Sequence, residues 1–135
     1  MVEVSQQIAL GIASIDSQHR ELAGLFDEFD RCIKTDAPLQ EVQALVKRAL
    51  AKANAHFEHE EALIAATNYP KAEEHKFLHR HLRTEFTTLV GDAMAIKAHD
   101  PVALQQLNVM RAMLMEHIGG PDAELAEHLK QAGIR

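Results

Sequence analysis

Three features of the sequence predict an all-α fold, an up-and-down antiparallel four-helix bundle with an extended N-terminal arm and a short C-terminal helix. Apolar residues recur at alternating steps of three and four through four long segments, the spacing of a helical core stripe. Short proline-containing breaks separate these segments, and short connections set consecutive helices antiparallel. Beyond the N-terminus, no segment has the alternating β-branched pattern of a strand.

The opening residues, VEVSQQIALGIASID, alternate apolar and polar at Ile8, Leu10 and Ile12. They predict an arm over residues 1–15, lying along the domain or forming a lone short strand. Asp16 or Ser17 is placed to cap the first helix, which runs to about Lys34 before Asp36-Ala37-Pro38 breaks it. Pro38 suits the start of a second helix that continues past Ile64 to the break at Asn68-Tyr69-Pro70. A third helix extends to about Ala98. Asp100-Pro101 then opens a fourth, with aspartate at the cap and proline in the first turn. Gly119-Gly120-Pro121 ends that helix, and Asp122 can cap a tail helix to about Gln131. With no internal repeat or low-complexity stretch, 135 residues make one domain: arm 1–15, bundle about 16–118, tail 119–135.

Composition narrows the function classes. A formal net charge of −6 with scattered basic residues argues against nucleic acid or an anionic membrane as partner. No apolar run approaches the roughly 18 residues of a membrane span, and no basic-then-apolar leader opens the chain. The one cysteine, Cys32, has no internal disulfide partner, so a reducing cytoplasm is the expected location. The unusual number is nine histidines in 135 residues.

Helical phase sorts them. The first helix has a stripe of Leu22, Phe26, Phe29 and Ile33, which extends backward to His19. The second gives Val42, Leu45, Ala49 and Ala53, then His56, Glu60 and Leu63. The third reads Ala72, His75, His79, Leu82, Phe86, Leu89, Ala93 and Ile96; the fourth reads Leu107, Met110, Leu114 and His117. Five histidines and a glutamate thus sit where the pattern demands core residues. The alternation of an up-and-down bundle brings all of them to one end. His59, His81, His99 and His128 fall off the stripes or in loops and are expected at the surface, as is Glu58, with Glu61 at most a neighbour of the site.

A single histidine on an apolar face is most often a core residue hydrogen-bonded to a neighbour. Six polar groups together are different, because each buried polar group left unpaired costs on the order of 1–3 kcal/mol and a bare carboxylate costs more. A metal centre offsets that cost. Five imidazoles and a carboxylate exceed what one tetrahedral zinc takes and suit two octahedral-type ions, iron foremost. Asp122 offers a seventh donor. On an unbroken α-helix, residues five apart differ by about 140°, so Gly119-Gly120-Pro121 is expected to break the helix and turn the carboxylate back toward His117.

The motifs GIASIDSQH, HFEHEE, HKFLH and HIGGPD, in that order from Gly11 to Asp122, resemble the hemerythrin family, specifically its single-domain bacterial members. The resemblance implies a non-haem di-iron centre that binds O2 reversibly. It assigns His75, His79 and His117 to one iron and His19 and His56 to the other. Glu60 and Asp122 would bridge the two, together with an oxo or hydroxo group. Leu114 and Ile118 match apolar positions of the family's O2 pocket, and Met113 stands where the family commonly has tryptophan. Phe57 and Phe77, beside ligands, are expected to shield the site or pack in the core.

The expected role is therefore that of a binding protein, not an enzyme: a monomer that carries, stores or delivers O2, with an oxygen-consuming enzyme as a candidate recipient. A sensor acting through a partner is one alternative, weakened because the chain ends at Arg135 without room for an output domain. A di-iron enzyme reducing peroxide or nitric oxide is another, weakened by an apolar pocket with no evident proton donor. A ferritin-like oxidase would need Glu-x-x-His pairs and more carboxylates.

Overall fold

The computed structural model describes residues 9–35, 37–94 and 101–135, with backbone alone at 33, 89, 90, 92–94, 101–104, 106 and 107. Four long helices follow in order: α1 (Ala13–Lys34), α2 (Leu39–Thr67), α3 (Ala72–Met94) and α4 (Pro101–His117). A π-helical turn, Ile118–Asp122, joins α4 without a gap to the tail helix α5 (Ala123–Gln131). Consecutive helices pack against one another as a four-helix bundle, and there is no strand among the described residues. No helix there is long and apolar enough to cross a membrane.

Helix α1 begins inside the expected arm. Residues 13–15 are helical, and only residues 9–12 of the described chain precede it. Asp16 does not cap the helix from outside. It lies in the first turn, and its carboxylate reaches back to accept the N–H groups of Leu10 (2.7 Å) and Gly11 (3.0 Å). A carboxylate near a helix N-terminus is favoured by the dipole, and here it also pairs two upstream donors. Gly11 has φ +88°, a conformation that costs glycine little and side-chain-bearing residues more. Ile8 of the arm, Asp36, the stretch from 95 to Asp100 with His99, and the side chains of Ile33, Leu89, Ala93 and Leu107 lie outside the described residues.

Two apolar clusters divide the interior. The larger joins Leu22, Phe26, Phe29, Leu45, Phe57, Phe86 and Leu114 along the bundle axis. The smaller gathers Ile12, Ile15, Ile64, Tyr69, Leu125 and Leu129, where the start of α1 meets the tail helix. This second cluster corrects the phase expected for the end of α2. Ile64 is buried and Leu63 only partly so, because the last turn of α2 faces the tail as well as the bundle axis. Polar contacts tie neighbours at the edges: Arg111 on α4 donates to Asp30 (2.9 Å) and to the Phe26 carbonyl (2.8 Å) on α1. Arg83 on α3 donates to Glu61 on α2 at 2.9 Å.

Asn68 ends α2 in the left-handed conformation, φ 53° and ψ 50°, where asparagine is among the better tolerated residues. Gly119-Gly120-Pro121 does not end α4 as expected. Pro121 has no N–H for the His117 carbonyl, and its ring crowds the carbonyl four residues back. The chain answers by widening for one turn to the i→i+5 pattern and then resumes α-helix. Asp122 directs no side-chain cap bond to α5; its carboxylate points inward instead.

Candidate metal centre

All seven residues singled out in the sequence are buried, none more than 5% exposed. His19 comes from the second turn of α1, one helical step beyond the buried Ile12 and Ile15. His56 and Glu60 lie four apart on α2, following Ala49 and Ala53 on the inner face. His75 and His79 occupy the first turns of α3, and His117 is the last residue of α4. The π turn then does what a plain α-helix could not. With i→i+5 winding, residues five apart come above one another, and Asp122 Oδ1 lies 2.9 Å from His117 Nε2.

The seven form two groups that share the carboxylates. Glu60, His75, His79, His117 and Asp122 make one; His19, His56, Glu60 and Asp122 make the other. Each carboxylate divides its oxygens between them. Glu60 Oε1 is 3.3 Å from His75 Nε2 and 3.0 Å from His79 Nε2, while Oε2 is 3.2 Å from His56 Nε2. Asp122 Oδ1 is 3.1 Å from His75 Nε2, while Oδ2 is 3.2 Å from His19 Nε2. His19 and His56 approach each other at 3.0 Å through their Nε2 atoms.

These distances suit metal ions. Donors bound at about 2.1 Å on neighbouring corners of an octahedron lie about 3.0 Å apart. Directionality points the same way. His117 Nε2, Asp122 Oδ1 and Glu60 Oε2 are buried and near opposite polar atoms, yet none forms a directed hydrogen bond. Close approach without hydrogen bonding is what neighbouring ligands of one ion show. The donor set, imidazole nitrogens with shared carboxylates, fits ions that accept nitrogen and oxygen together.

Without metal, protons stand in for cations. Burial pushes His56 and His75 down, but the close Asp122 and Glu60 carboxylates hold both up to about 9 from 6.5. Burial and the nearby Asp122 charge push Glu60 up, but the close imidazoles of His56, His75 and His79 bring it down to about 2 from 4.5. Asp122 is held well below the usual carboxylate range, burial notwithstanding, by His117, His19, His56 and His75. His79 runs the other way, lowered chiefly by burial.

The raised histidines stabilise the metal-free fold fully below pH 6.5, and that stability is lost as pH climbs through about 9. The lowered Glu60 stabilises it above pH 4.5, and that is lost as pH falls toward 2. Metal-free protein should therefore melt at its highest temperature between about pH 4.5 and 6.5. Metal loading, which must displace the imidazole protons, should strengthen as pH rises. Melting curves of the chelated protein across pH check this; a midpoint that rises from pH 6.5 to 9 contradicts the proton-sharing arrangement.

The described residues expected at the periphery are there. His59 is partly exposed and hydrogen-bonds Ser14 Oγ at 2.9 Å; His81 and Glu58 are exposed. His128, also partly exposed, donates to the Thr67 carbonyl at 3.1 Å. Glu61 pairs with Arg83 and belongs to neither group of candidate ligands. Leu114 and Ile118 are buried in the larger apolar cluster. Met113 is one step round the helix, partly buried, and lines a surface groove of about 270 Å³ with Leu82 and His117. The two phenylalanines part company. Phe57 is fully buried with its ring stacked on His79 at 4.5 Å, whereas Phe77 is 62% exposed and shields nothing.

Two neighbours of the cluster have no counterpart in the sequence reading. Gln18 Oε1 accepts a hydrogen bond from His56 Nδ1 at 2.7 Å, and Tyr69 is buried with its ring 6.3 Å from that of His75. Gln18 joins a partner 38 residues away, which no local pattern reveals. Comparison with known families matches residues 10–129 to the Hemerythrin HHE cation binding domain. Comparison with curated proteins gave no match.

Proposed function

Because the chain belongs to the hemerythrin family, we propose that its buried cluster holds two iron ions and binds O2 reversibly, for oxygen carriage, storage or delivery. His75, His79 and His117 would hold one ion and His19 and His56 the other, with Glu60 and Asp122 shared between the two sets and an oxo or hydroxo group completing the centre. The observation that carries this reading is the division of each carboxylate, one oxygen toward each histidine set. A single ion would draw the oxygens to one side. When bound, an iron pair supplies the electrons and the open coordination position that O2 requires.

The protein's own residues supply position, asymmetry and seclusion. With the shared carboxylates, one set offers five residues and the other four, so the His19 and His56 side would offer its ion one protein ligand fewer. Phe57, its ring 4.5 Å from that of His79 and 6.3 Å from that of His117, supplies apolar cover at the histidines, and Leu114 and Ile118 are buried in the same apolar cluster. Seclusion of this kind lets O2 leave as O2. The buried Cys32 is consistent with a reducing cytoplasm, where a monomer of this kind would serve an oxygen-consuming enzyme.

Purified protein should contain two iron ions per chain. After anaerobic reduction, its visible spectrum should change when O2 is admitted and revert when O2 is withdrawn, over many cycles. One ion per chain, or zinc in place of iron, sinks the paired-iron reading. Oxidation that does not reverse moves the site to an enzyme reducing peroxide or nitric oxide.

A further inference from the structure

We propose that Gln18 is the positioning residue for His56 and thereby sets how firmly the ion on the two-histidine side is held, an inference that rests on the di-iron reading above. A neutral imidazole carries its proton on one nitrogen and a lone pair on the other. The Gln18 amide oxygen can only accept, so its 2.7 Å contact fixes the hydrogen of His56 on Nδ1. The lone pair is then on Nε2, the atom that lies 3.0 Å from His19 Nε2 and 3.2 Å from Glu60 Oε2. The same bond also fixes the rotation of the ring.

The influence reaches His19 as well. Its Nδ1 is buried without a hydrogen-bond partner among the described residues, and its ring stands edge-on against His56 with centroids 4.5 Å apart. His19 is thus propped by the ring that Gln18 orients. The three-histidine side is held differently. His75, His79 and His117 pack on one another with centroids 4.5 to 5.1 Å apart, and His79 stacks on Phe57. Nothing in that set leans on Gln18, so its effect is confined to one of the two ions. A glutamine does this without adding charge. A glutamate of equal reach would orient the ring and also strengthen its nitrogen as a donor.

The test loads the full chain with ferrous iron under anaerobic conditions and follows release of metal to excess chelator. Gln18→Leu should release one of its two ions about 10–100-fold faster than the unaltered protein and the other at the original rate. Gln18→Asn keeps the amide but shortens its reach, and should behave like the leucine variant. Gln18→Glu should restore slow release. Melting of the metal-free proteins reads whether the fold itself has changed. Release of both ions at the original rates in Gln18→Leu overturns the proposal, and so does equal acceleration of both, which marks a merely structural role. An unaltered protein that holds fewer than two ions overturns the di-iron reading and this proposal with it, so stoichiometry and release phases separate the two failures.

Discussion

Glu60→Ala should abolish the paired metal site, whereas His59→Ala, one residue away, should leave it intact. The Glu60 carboxylate is fully buried and lies within 3.3 Å of His56, His75 and His79 through its two oxygens. Removing it takes one donor from each ion at once and leaves Asp122 as the sole shared carboxylate. Loss of a group that merely supports a ligand costs about 10–100-fold in metal affinity, and loss of a shared ligand should exceed that. Iron content is expected to fall from two per chain to one or none. His59 hydrogen-bonds Ser14 at the bundle's flank and has no part in the cluster, so its truncation should keep both ions. Iron analysis after gel filtration, with far-UV circular dichroism to establish folding, reads the pair. If both variants keep two ions, or both lose them, the inward assignment of Glu60 is wrong.

Phe57→Ala is expected to destabilise the metal-free protein by about 3–5 kcal/mol, the usual cost of emptying a phenylalanine-sized space in a core. The ring is wholly buried, stacks on His79 with an interplanar angle of 27°, and carries the Arg83 guanidinium 5.5 Å from its centroid. Its loss opens a cavity beside a ligand and frees the His79 ring to turn. The melting temperature should drop by on the order of 10 °C. Phe77→Ala should stay within about 0.5 kcal/mol, since that side chain is 62% exposed. Urea titration of both variants settles the contrast; equal losses would mean that Phe57 is not the packing element described.

These two phenylalanines mark where the sequence runs out. Both stand within two residues of a helical histidine, and their angular position about the helix separates them. Phase alone identifies His19, His56, Glu60, His75, His79 and His117, because a stripe with steps of three and four has room for few alternatives. Long-range partners are another matter. Nothing near Gln18 in the chain says that it meets His56, and Asp16 has a local signature for helix capping yet serves the strand of chain before it. The segment from Gly119 to Asp122 shows a subtler gap. A proline without its N–H is compatible with a helix stop or with a one-turn widening. The choice is made by distant packing: Leu125 and Leu129 are fully buried against Ile12, Ile15 and Ile64, and that docking keeps the chain winding. The carboxylate still turns inward, by a route that residue types do not specify.

The contact of His19 with Asp122 spans 103 residues of chain. Metal held by both would fasten the start of the first helix to the turn after the fourth, closing a loop that takes in 103 of the 135 residues. In entropic terms this acts as a cross-link: it removes from the unfolded ensemble every conformation in which those ends are apart, and long loops have the most to lose. A chain with a single cysteine has no disulfide of its own to do this. The ions that give the site its chemistry would thus also serve as its tether, and a chelator would act on the protein much as a reductant acts on a disulfide-stapled one.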